Sequence, residues 1–238
     1  MTNGTVQNPL SNGEILEFAT ALMQQFGRKI KPDKAWYYIR NKRQLGADLA
    51  KLDLYEMPEF DITESERFYV KHSGLSLDFS TLPVPPRPDY PCRAIVVLPS
   101  ITNNRVFDAC TKTFDGKTWR YEKNLDTVTD VVKRPEGPYV TWVRDTVEAD
   151  PDMANKSASD IETAGTNTLT LKERMLFELR YFNETGKHLD IDNWTLCAGS
   201  RYADGGVPAC CWGGGEFCVG WAGVGDRNPY LRARVAVS

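Results

Sequence analysis

Histidine is almost missing from the 238 residues, with His72 and His188 alone. No Cys/His/acid constellation of the kind that activates a nucleophile is evident around either one. CxxC spacing is missing as well. The six cysteines sit at 92, 110, 197, 210, 211 and 218. Cys210 and Cys211 are adjacent, a poor start for a disulfide framework, so the cysteines are read as reduced thiols. A zinc set of Cys197, Cys210, Cys218 and His188 would follow no recognised ligand spacing, and no metal or cofactor is expected. Long apolar runs are absent too, the longest being Ala94 to Leu98, which reads as a buried strand. Met1 to Glu14 is polar and lacks the apolar core of a secretion signal. The expectation is a soluble chain without membrane insertion, reaching any virion or cell surface by another route. Strong net charge is also missing. A formal charge of -3 gives no general reason to expect nucleic acid as a partner.

What is present reads as an α+β protein. Ser11-Asn12-Gly13-Glu14 has the form of a capping box, and Ile15, Leu16, Ala19, Leu22, Met23 and Phe26 follow at helical spacing up to Gly27. Arg28 to Arg43 mixes basic residues with Trp36-Tyr37-Tyr38, while Asp53 to Glu66 holds six acids and no bases. Such a patch can mark a nucleic-acid surface, but on this acidic chain it is read as a solvated helix face with its aromatics inward. Five prolines between Leu82 and Pro91 predict a stiff connector. The boundary is placed there, dividing a helix-rich region 1–90 from a domain 91–238.

Beyond it, strands are expected at Arg93 to Leu98, Thr118 to Tyr121, Tyr139 to Val143 and Asn193 to Leu196, with a short helix at Val106 to Phe114. Glu148 to Thr168 reads as a long loop. Thr170-Leu171-Lys172-Glu173 is a second capping box, opening a helix that Gly186 ends. Leu231 to Val237 alternates as a half-buried strand. Short strands and few helices without βαβ repetition argue for α+β.

Gly199 to Gly225 stands apart, with nine of the 18 glycines, three cysteines, Trp212, Phe217 and Trp221. Glycine at this density disfavours regular helix or strand and suits tightly folded loops. The bulky aromatics exclude a flexible linker, and loops held by aromatic anchors suit recognition. From His188 to Ser238 there is no Lys, Met or Gln and a single Glu, Glu216. Those types, with Trp, require a purine at the third codon base. Most of the segment is therefore compatible with asparagine codons randomised at their first two bases.

Cys197-Ala198-Gly199-Ser200-Arg201, Asp204-Gly205, Val207-Pro208, Trp212, Trp221 and Leu231 to Ser238 resemble the C-terminus of variable proteins of diversity-generating retroelements. Leu169 to Arg174, Thr185 to Asp190 and Asn193 to Leu196 extend the resemblance, which is closest to members from uncultivated archaea, bacteria and their viruses. Residues 1–90 carry none of it. In that family, adenine-directed mutagenic reverse transcription rewrites chosen codons, and the product displays the changes on a C-type lectin fold.

The resemblance thus implies a C-type-lectin-like domain over 91–238, with a variable region about 199–238. Gly199, Ser200, Arg201, Asp204, Gly205, Val207, Pro208, Trp212, Trp221, Leu231, Arg232 and Arg234 would be scaffold. Tyr202, Ala203, Ala209, Cys210, Cys211, Gly213, Gly214, Phe217, Cys218, Gly220, Ala222, Gly223, Val224 and Asn228 would contact an unknown protein or surface ligand. Their side chains should then point to solvent and add little to the core. Tyr202 and Phe217 are the expected anchors.

Two other readings carry different chemistry. A lectin-like scaffold also resembles formylglycine-generating enzymes, where Cys210, Cys211 or Cys218 would supply a reactive thiol. A calcium-dependent sugar lectin would draw on Asp190, Asp192 and Asp204, yet the Glu-Pro-Asn and Trp-Asn-Asp triplets of such lectins are absent. A binding protein without catalytic activity is the favoured expectation.

Overall fold

The longest helix, α4 (Leu171–Thr185), starts where the Thr170 hydroxyl accepts from the Glu173 N–H and the Glu173 carboxylate accepts from the Thr170 N–H. It stops at Gly186, whose φ of 67° is the left-handed conformation of a helix C-terminus. In this computed structural model, which describes residues 62–74, 79 and 82–238, α4 is buried around most of its girth. The helix expected from Ile15 and the basic stretch at 28–43 lie outside the described residues, as does most of the acidic run at 53–66.

The other elements, in chain order, are α1 (Ile62–Ser73), β1 (Cys92–Val97), α2 (Asn103–Thr113), β2 (Thr118–Arg120), β3 (Thr129–Asp130), β4 (Tyr139–Arg144), α3 (Ala158–Thr163), β5 (Trp194–Leu196), β6 (Ser200–Arg201), β7 (Val207–Gly213), β8 (Glu216–Ala222), β9 (Leu231–Arg232) and β10 (Ala236–Val237). Mixed α+β is the class. The strands form three sheets. In the first, β4 lies between β1 and β10, both antiparallel to it, so the end of the chain closes on the first strand. The second has the order β2-β8-β7-β5-β9, and β3 pairs with β6 in the third.

Two apolar clusters divide the interior. The larger joins Phe68 and Tyr69 of α1, β1, α2, β4 and α4 to Cys210, Phe217 and Val219. The smaller gathers Met153, Ala158, Ile161, Leu196, Val207, Ala209, Ala222 and Ala233 on the other side of the second sheet.

Three differences from the sequence reading have local causes. The proline segment is not a boundary, because the Trp142 indole N–H donates to the Pro85 carbonyl at 2.9 Å and Leu82 packs on the core. The unit containing the described residues begins at Met57. Residues 148–168 are not one loop, since Ser157 and Asp160 form a reciprocal cap that starts α3. Leu231 to Val237 is not one strand, because β9 pairs with β5 in one sheet and β10 with β4 in another.

Candidate ligand-binding groove

The glycine-rich segment is a hairpin, contrary to the loop expected. Strands β7 and β8 pair from Val207↔Ala222 to Gly213↔Glu216, joined by Gly214-Gly215 with φ of 64° and 86°. Two successive positive φ values give the turn whose twist matches antiparallel strands, and only glycine adopts them freely. Successive strand side chains point to opposite faces. Cys210, Phe217 and Val219 belong to the larger cluster and Trp212 packs against it, while Val207, Ala209 and Ala222 belong to the smaller. Alternation puts Cys211, Gly213, Cys218 and Gly220 on this second face.

This placement corrects the expectation of solvent-facing variable side chains. Tyr202, Ala209, Cys210, Cys211, Phe217, Cys218, Gly220 and Ala222 are buried. Phe217 is fully enclosed beside Phe114, and the Tyr202 hydroxyl donates to the Gly220 carbonyl at 3.0 Å. Neither is available as a surface anchor. Ala203, Gly214, Val224 and Asn228 are exposed, with Gly213 and Gly223 half-buried.

The second face opens into a groove of about 550 Å³. Ala209 and Ala222 line it together with three aromatic residues, Trp194, Trp221 and Tyr230, and Asp192, Asp226, Arg227 and Asn228 supply its polar groups. The aromatic residues are 37%, 46% and 62% exposed, so the groove presents their rings to solvent. Each is positioned by its neighbours. The Trp194 N–H donates to the Tyr230 carbonyl at 2.7 Å, the register in which β5 meets β9. The Trp221 indole N–H donates to Asp204 at 3.1 Å, and a Cβ on Gly206 would overlap its ring. A Cβ at Gly220 would stand 3.0 Å from the edge of the Trp194 ring. Asp226 accepts from the Gly223 N–H at 2.7 Å, and Arg227 is held by Asp160 at 2.7 and 2.8 Å.

Of the nominated contact residues, Ala209, Ala222 and Asn228 line the groove. Trp194, Tyr230, Asp192, Asp226 and Arg227 were missed. Tyr230 had a signal in Asn228-Pro229, turn residues that set it at a loop end. Trp194 had none, since Trp194-Thr195-Leu196 alternates like any strand.

Behind the groove lies a buried ionic cluster. Asp190 accepts from Arg174 at 2.8 Å and from Arg234 at 2.6 Å, and Arg174 also donates to Glu178 at 2.8 Å. Burial opposes charge on Asp190, yet Arg234 and Arg174 hold its pKa below the ordinary carboxylate value. His188 is packed into the same region, stacked on Trp212 at 3.3 Å and bonded to Glu178 at 2.8 Å. These residues fix the chain on either side of β5.

Thiol chemistry finds no support in this arrangement. All six cysteines are buried and unbridged, with the Cys197 and Cys210 sulfurs 3.8 Å apart. Burial pushes the thiols of Cys92, Cys110, Cys210, Cys211 and Cys218 up, away from the reactive thiolate. Cys210 and Cys218 point to opposite faces of the hairpin, so the zinc set does not assemble. Among the described residues no group of three His, Cys, Asp or Glu side chains could hold a metal ion. The acids considered for calcium are dispersed as well, Asp190 being engaged by two arginines and Asp204 by Trp221.

No family model matches the chain, and no curated protein or solved structure is similar to it. No helix among the described residues is long and apolar enough to cross a membrane.

Proposed function

We propose that the chain is a recognition protein, not an enzyme, which presents retroelement-diversified residues on a C-type-lectin-like domain. The observation that carries this reading is the convergence of three nominated positions, Ala209, Ala222 and Asn228, on one groove with three exposed aromatic residues. Large exposed aromatics around a concavity are the usual anchors of a binding site, and small side chains on its floor leave room for substitution. The lectin-like fold is supported by the closure of β10 and β1 onto β4, with a separate sheet carrying the hairpin. The diversified set is revised accordingly. Positions 209, 222, 224 and 228 vary, whereas Cys210, Phe217 and the Asp190 cluster are held constant because they build the interior.

Deep sequencing of the 3′ end of the gene across its source population tests the proposal. Variation concentrated in codons 209, 222, 224 and 228, with 174, 190, 194, 221 and 234 constant, is the expected result. A uniform sequence with no nearby near-copy carrying asparagine codons would overturn it.

A further inference from the structure

The groove has a charge as well as a shape. Two carboxylates line it, Asp192 and Asp226, and neither forms an ion pair among the described residues. The Asp192 side chain is exposed, its own N–H being taken by Glu148 at 3.2 Å. Asp226 accepts from the Gly223 N–H, a neutral donor that leaves its charge uncompensated. The single cation lining the groove is Arg227, and its guanidinium is matched by both oxygens of Asp160. Arg232, next along β9, turns its Nε–H to the Pro229 carbonyl. The groove is therefore left with two negative charges beside Trp194, Trp221 and Tyr230.

An aromatic face carries negative quadrupolar charge and attracts a cation within about 6 Å, with Trp the strongest host. Carboxylates beside such rings add a charge-assisted acceptor. A neutral ligand would use the rings but gain little from the two carboxylates, and an anionic one would be repelled. We propose that the groove takes an organic cation, the ammonium or guanidinium end of a Lys or Arg side chain projecting from a partner protein. The occupant's alkyl stem lies along Ala209 and Ala222, and its charge is set between the aromatic residues and Asp192. Residues at 209 and 222 then tune how far the side chain enters, while the aromatic and acidic residues supply a constant preference for basic partners. This rests on the groove being the recognition surface, and it adds the chemistry of what is recognised.

The test uses the full chain with 15N-labelled indoles, the Trp194 and Trp221 signals being assigned from Trp194→Phe and Trp221→Phe. The probes are N-acetyl-lysine amide, the same compound acetylated on Nε, and methyl α-glucoside. The lysine probe should shift both indole signals, and acetylation or the Asp192→Asn change should weaken the response at least tenfold. Raised salt should weaken it too, as expected for a partly exposed charge. Asp192 is exposed, so its variant folds, and Tyr230→Ala provides a second surface variant with the same expected loss. Equal binding of the acetylated probe, a response to the glucoside alone, or no response to any probe would overturn the proposal. The two readings fail separately. Diversified codons without lysine binding would leave the recognition reading standing, and lysine binding in a gene of uniform sequence would do the reverse.

Discussion

Arg234, near the end of the chain, and Asp190, ahead of β5, meet at 2.6 Å in the interior, although 44 residues separate them. The Arg234 guanidinium also donates to Thr195 at 3.0 Å and to the carbonyls of Thr146 at 3.0 Å and Val147 at 2.7 Å. One side chain thus ties the C-terminal strand to β5 and to the loop after β4. The groove lies on the outer side of this knot, so its backbone is fixed by residues that no ligand touches.

Replacing Arg234 with Met should therefore unfold the domain far more readily than its size suggests. The change strands Asp190 with one remaining arginine and leaves two backbone carbonyls unmatched. Removing one partner of a buried ion pair costs roughly 3–5 kcal/mol. Chemical denaturation would show the midpoint falling by that amount, and a loss within about 1 kcal/mol would mean that water replaces the guanidinium. The pH dependence has a definite sign. Because the folded pKa of Asp190 is lowered, its contribution is present above the ordinary aspartate range and disappears as pH falls through the folded value.

A second acid-sensitive site lies elsewhere, at His72. Burial, and then the charge of Lys71, lower its pKa from 6.5 to about 4. Its ring stacks 4.7 Å from Phe68, and its Nε2 has no hydrogen-bond partner. The unfolded chain binds a proton here below pH 6.5 that the folded chain refuses until about pH 4. Stability present above that range should decline across it. His72→Phe, which suits the apolar surroundings of Ile101, Val106 and Leu176, should flatten the decline when unfolding is followed over those pH values. An unchanged slope would place the acid sensitivity on other groups.

Local chemistry was legible in the residues, and long-range partnership was not. The Thr170-Glu173 box predicted α4 because both of its bonds close within one turn. The Ser157-Asp160 cap has the same logic, but the polar residues around it read as loop. The hairpin was hidden by the weight of nine glycines, although two of them, Gly214 and Gly215, are themselves the turn signal. Phe217 looked like an anchor because an aromatic among small residues implies either a core or a contact. Its strand neighbours decide which, and those came from β7 and β2, distant in sequence. Trp194 and Asp226 join the groove solely through folding, so nothing in their own segments marked them.

The position of Trp221 depends on the absence of a side chain at Gly206. A methyl group there overlaps the indole ring, whose N–H is bonded to Asp204. Gly206→Ala should displace the ring, break that bond and cost about 1–3 kcal/mol by overpacking. The Trp221 indole signal would move in an NMR spectrum, and the response to a groove ligand would fall with it. An unmoved signal would show that the backbone yields instead.

Phe217 and Tyr230 should separate stability from recognition. Phe217 is enclosed by Phe114, Arg174 and the cluster around α4, so truncation opens a cavity between elements that cannot collapse onto it. Phe217→Ala should cost about 3–5 kcal/mol, seen as an early thermal or denaturant transition, while the groove of whatever remains folded keeps its affinity. Tyr230 is 62% exposed at the groove's rim, so Tyr230→Ala should change stability by less than about 0.5 kcal/mol. Its effect should appear in ligand titration. If Phe217→Ala leaves stability unchanged and abolishes binding, the core assignment of β8 is wrong and the hairpin presents its other face to the ligand. If Tyr230→Ala alters neither property, the recognising surface lies away from this groove, nearer the exposed turn at Gly214.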